Sequence, residues 1–139
     1  MKATLPFRIC AITLVLFAAL HTLGFLGYTP ASTEGAAVKA AMDAVHFPFG
    51  STTRTYGDLY RGFGFFVSAY LLFAAVVAWQ LPSLLATSRE SFRIISIALL
   101  AAQTATVALS LIYFATPQAA FAIAVVALLV WGLVAARSS

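Results

Sequence analysis

Residues 57–81 read GDLYRGFGFFVSAYLLFAAVVAWQL. Asp58 and Arg61 stand one helical turn apart, and no further charge follows before Leu81. Such a run is close to the roughly 20 residues that an α-helix needs to cross a hydrocarbon core of about 30 Å. Three more stretches behave alike. The predicted spans are residues 7–28, 60–81, 92–115 and 119–136, with residues 29–57 as an outer loop. Lipid leaves backbone polar groups no water, so only helices or closed barrels can span it. The runs lack the alternation of strands, so the expected fold is an all-α integral membrane four-helix bundle in a single domain.

Composition agrees. The chain has 139 residues, 63% hydrophobic and 9% charged, against about 25% charged in soluble domains. The net charge of +4 could suggest nucleic acid, but the basic residues sit at segment ends, where orientation explains them. The expected surroundings are a bilayer and no nucleic acid. Prolines punctuate the same division. Pro6 precedes span one, Pro30 and Pro48 fall in the loop, Pro82 follows span two, and Pro117 opens span four after a capping Thr116. Lys2, Arg8, Arg89, Arg93 and Arg137 fall on one side of a four-crossing chain. The positive-inside rule then puts both termini in the cytoplasm. A rival reading takes residues 1–31 as a cleaved signal peptide, although the apolar run is long and no A-x-A site follows.

The loop contains EGAAVKAAMDAVHF, with Val38, Met42 and Val45 at helical spacing. This predicts a short amphipathic helix lying on the membrane or across the mouth of the bundle. HFPFGSTTR reads as a turn-rich return. The lone cysteine, Cys10, cannot form an internal disulfide. No Walker-type glycine loop, GxSxG or HExxH occurs, and no cofactor is assignable.

Polar residues at depth are the candidate site, because intramembrane ionisable groups are costly. His21 lies in the outer half of span one, either bonded to a neighbouring helix or contacting a ligand or proton. Thr55-x-x-Asp58 has the form of a capping box. Arg61 opposes the helix dipole and needs a partner, whether Asp58, a lipid phosphate or a bound anion. Gly62 and Gly64 suit close helix packing. Ser96, Gln103 and Ser110 recur every seven residues, with Thr106 and Tyr113 alongside, as a stripe facing the bundle. Span four, almost without polar side chains, is expected to be the most lipid-exposed. If spans one to three are neighbours, His21, Asp58, Arg61, Ser110 and Tyr113 surround an outward-facing cavity covered by the loop helix.

HTLG in span one, FPFGSTTRTYGDLYRGFG at residues 47–64 and WQL at 79–81 together resemble a family of small uncharacterised bacterial four-helix membrane proteins. His21, Gly24, Arg54, Asp58, Tyr60, Gly62 and Gly64 fit its pattern. The resemblance implies a bacterial inner membrane, adds Arg54 and Tyr60 to the candidate site and Gly24 to the packing positions, and assigns no reaction. In layout alone the chain is similar to DoxX-like proteins, some of which associate with quinone-linked oxidoreductases.

Three functions compete. The first is binding of a small amphipathic ligand, a lipid or quinone, by Arg61 and His21 with Arg54, Asp58, Tyr60, Gln103, Ser110 and Tyr113. The second is a non-catalytic accessory or structural subunit with a membrane-protein partner or a second copy. The third is a small membrane redox enzyme. Bis-histidine haem is disfavoured, since His46 falls in the loop and His21 is alone.

Overall fold

The computed structural model describes residues 3–114 and 116–137. The order is α1 (Thr4–Leu26), α2 (Thr33–Ala44), β1 (His46–Phe49), β2 (Thr52–Thr55), α3 (Tyr56–Thr87), α4 (Arg89–Tyr113) and α5 (Thr116–Arg137). Among the described residues the fold is all-α apart from one small hairpin. α1, α3, α4 and α5 are long and apolar enough to cross a membrane, with mean hydropathies of 2.3, 1.9, 2.0 and 2.6. Leu23, Phe63, Phe66, Phe73 and Ile112 are each more than 65% exposed. A lipid solvent accommodates such side chains, whereas water penalises a surface built of them.

α3 departs most from expectation. It starts at the capping box and runs through Pro82 to Thr87. Proline removes one rung of the helical ladder, here the bond to Ala78, but membrane helices tolerate this where neighbours support the freed carbonyl. Ser88 alone joins α3 to α4, and its hydroxyl caps α4 by accepting from Ser91 N–H at 3.2 Å.

The chain divides into two compact units. One comprises Met1–Phe17 with Leu71–Ser139. Its core includes Phe7, Cys10, Leu14, Leu71, Leu81, Val125 and Leu129, all almost inaccessible. The Phe7 ring lies so close to Gly132 that a Cβ there would come within 2.6 Å of it. Phe7 also meets Phe92 edge-on at 5.8 Å, and Phe17 stacks on Phe121 at 5.2 Å. The Arg8 guanidinium covers the Trp79 ring at 3.5 Å, a cation–π contact. Ser96, Gln103 and Ser110 are all buried, so the polar stripe of α4 faces protein.

One expectation is corrected here. α5 is not the most exposed span. A third (33%) of its most apolar stretch is buried, against 22% for α4. Ala119, Ala122, Val125, Leu129, Gly132 and Ala136 form its packed stripe. Small side chains let a neighbouring helix approach closely, so lack of polarity did not mean lack of contact.

The second unit is Ala18–Tyr70. It holds the end of α1, the whole of α2, the hairpin and the start of α3. Ser32 caps α2 by accepting from Gly35 N–H at 3.0 Å. The segment expected as a turn-rich return is instead an antiparallel hairpin pairing His46 with Thr55 and Phe49 with Thr52. Its two-residue loop is Gly50-Ser51, and Gly50, alone among the described residues, has positive φ, at 59°. A tight hairpin favours glycine at that position because the loop then follows the strand twist.

Candidate functional site

The start of α3 carries the first cluster. The Asp58 carboxylate accepts from Thr55 N–H, and Thr55 Oγ1 accepts from Asp58 N–H, both at 3.0 Å. This reciprocal pair is a complete capping box. It also aims the second carboxylate oxygen, which takes one arm of Arg61 at 3.0 Å. The other arm reaches Asp43 on α2 at 2.9 Å. Arg61 is thus clasped between two carboxylates of its own chain. Neither a lipid phosphate nor a foreign anion is needed to balance it.

Gly57 makes the clasp possible. A Cβ at that position would collide with the Asp43 carboxylate. Lys39, one turn before Asp43, donates to the Tyr28 carbonyl at 2.9 Å. Glu34, in the first turn of α2, has its carboxyl held below the ordinary value by its own backbone N–H, then by the Ser32 and Thr33 hydroxyls.

Between these elements lies a cavity of about 320 Å³, a usual scale for small-molecule sites. Phe25, Leu26 and Tyr28 wall it from α1 and the residues after it. Gly35, Val38, Lys39, Met42 and Asp43 wall it from α2, and Gly57, Tyr60 and Arg61 from α3. Val38 and Met42, from the apolar stripe of α2, therefore face the cavity; α2 itself buries no residue.

His21 belongs to a second cluster. Its Nδ1 lies 3.1 Å from Ser68 Oγ, which lies 2.7 Å from Thr22 Oγ1. Thr22 in turn donates to the Ala18 carbonyl at 2.8 Å. With the proton on Nδ1, the imidazole donates to Ser68, Ser68 to Thr22 and Thr22 to the carbonyl, and the Gly64 carbonyl, 3.2 Å from Ser68 Oγ, competes for the Ser68 proton. The set ties α1 to α3.

Of the residues singled out from sequence, Tyr60 and Arg61 line the cavity, and Asp58 holds Arg61. His21 is not on its wall. Arg54 lies exposed on β2, donating to the Thr53 carbonyl at 3.0 Å. Gln103 and Ser110 are buried in the other unit, where Tyr113 is 72% exposed. None of these three lines the cavity. Gly64 lies against the Phe25 ring, 2.8 Å from where its Cβ would stand. A Cβ at Gly24 or Gly62 would meet nothing within 4 Å, so neither position serves a close contact here.

Lys39, Asp43, Gly57 and Ser68 were missed. One signal existed for Asp43: the chain has four acidic residues, and an arginine needing a counter-charge had few to choose from. Among the described residues, no three His, Cys, Asp or Glu side chains gather as a metal ion would require. Comparison with known families, curated proteins and solved structures returns no match, so functional assignment rests on this geometry.

Proposed function

We propose that this chain is a four-span protein of a bacterial inner membrane, with cytoplasmic termini, that holds a small amphipathic ligand of lipid or quinone class. The cavity under α2 carries the reading. Its walls join an apolar and aromatic surface (Phe25, Leu26, Val38, Met42) to a few residues with polar groups (Tyr60, Lys39, Asp43 and Arg61). That combination accepts a tail and orients a head. The end of α1 and the start of α3 both line it, so it sits where membrane helices end and amphipaths place their polar parts.

The test is mass spectrometry of the protein released from native membrane in mild detergent. Wild type should carry a lipid or quinone, and Met42→Trp, which fills the cavity, should not. Equal retention by both would remove the cavity from the account. The accessory-subunit reading draws on α2, which buries nothing within its own chain and offers a face to another protein. In-membrane crosslinking from Ala37 to one constant neighbour would favour it.

A further inference from the structure

We infer that the head of the ligand is zwitterionic, a phosphate and a primary ammonium as in an aminophospholipid, with the phosphate at Lys39 and the ammonium at Asp43. This deepens the cavity reading and rests on it. Lys39 and Asp43 both line the cavity and stand four residues apart on α2, which makes them neighbours on one helix face. Opposite charges so placed are within reach of each other, yet these do not pair. Lys39 turns to the neutral Tyr28 carbonyl, and among the described residues no carboxylate is within ion-pair reach of it. Asp43 turns to Arg61.

The charge balance is therefore split. Arg61 is one cation between two carboxylates, which leaves a negative charge over on that side, while Lys39 keeps its positive charge. A purely anionic head would suit Lys39 and be repelled by the clasp; a purely cationic one would meet the reverse. A phosphate joined by an ethylene link to an ammonium answers both. Lysine suits phosphate as a point charge, and the Asp43 carboxylate, which lines the cavity, accepts the hydrogens of a primary ammonium, which a quaternary ammonium lacks. The tail then follows Val38 and Met42 toward Phe25. The phosphate–ammonium chemistry could also come from a soluble phosphoethanolamine; the exposed apolar wall favours the lipid.

The experiment titrates the full chain in detergent, by native mass spectrometry, with phosphatidylethanolamine, phosphatidylcholine and phosphatidylglycerol of identical acyl chains, and with free phosphoethanolamine. The first lipid should bind about fivefold more tightly than the other two, the scale of one exposed ion pair. Lys39→Gln should weaken all three phosphate-bearing lipids. Asp43→Asn should abolish the advantage of phosphatidylethanolamine over phosphatidylcholine. Lys39→Gln leaves the clasp intact and so reports even if Asp43→Asn disturbs α2. If the three lipids bind wild type within about twofold of one another while Met42→Trp abolishes all binding, the cavity stands and the headgroup assignment is wrong. If Met42→Trp changes nothing, both fall. Free phosphoethanolamine binding as tightly as its lipid would overturn the lipid assignment.

Discussion

Replacing Ser68 by alanine tests how α1 and α3 are tied together. Ser68 is 8% exposed, and its hydroxyl meets His21 at 3.1 Å and Thr22 at 2.7 Å. Two bonds between helices disappear with it; the Gly64 carbonyl, 3.2 Å away within α3, is only an alternative acceptor for the same proton. Interhelical hydrogen bonds in a membrane average about 0.6 kcal/mol each and reach about 1.7 kcal/mol. Losing two should cost about 1.2 kcal/mol, or about an eightfold fall in the folded-to-unfolded ratio. The loss stays modest because the unfolded helices also find partners in lipid. The assay is reversible unfolding in mixed micelles with rising dodecyl sulfate, followed by circular dichroism. Double-mutant cycles with Thr22→Val and His21→Ala isolate each bond, since the Thr22 bond to the Ala18 carbonyl cancels. Couplings below about 0.2 kcal/mol in both cycles, well under the membrane average, would refute the claim that this cluster joins the helices.

Further outcomes follow from other contacts. Gly57→Ala should push Asp43 off Arg61 and loosen α2, read as a broadened distance distribution between spin labels at positions 37 and 66. Asp43→Asn should loosen α2 in the same way, whereas Asp58→Asn should instead fray the start of α3 in amide exchange, because only Asp58 closes the capping box. Gly132→Val should destabilise by about 1–3 kcal/mol through overpacking against Phe7, measured by the same micelle unfolding. Gly50→Val should cost about 1–2 kcal/mol locally, since a β-branched residue resists the left-handed backbone, and should speed amide exchange across His46–Thr55. A fluorescent-protein fusion after Ser139 should be bright in the cytoplasm, and an alkaline phosphatase fusion there inactive.

Much of the molecule is a consequence of one-dimensional information. Four apolar runs of about 20 residues define four helices because each satisfies its own backbone, whatever it later packs against. The capping box at Thr55 and Asp58 is equally local: both partners lie within one turn. The stripe of Ser96, Gln103 and Ser110 on α4 shows which face turns inward, because lipid rejects it. Helix ends followed composition less closely, and α3 continued through Pro82, since proline withholds one bond and not the whole ladder. The hairpin carried a faint mark, Gly-Ser between FPF and TTRT, hidden by the proline in its first strand.

What tertiary structure alone decided is pairing at a distance. Arg61 announced that it needed a counter-charge, but Asp43 lies 18 residues away and only the return of α2 brings it there. Ser68 reads as an ordinary hydroxyl in a greasy helix until His21, 47 residues earlier, is placed beside it. The packed face of α5 was invisible for the same reason. Where every side chain is apolar, hydrophobicity cannot distinguish a face turned to lipid from one turned to protein, and only the fit of Gly132 against Phe7 separates them.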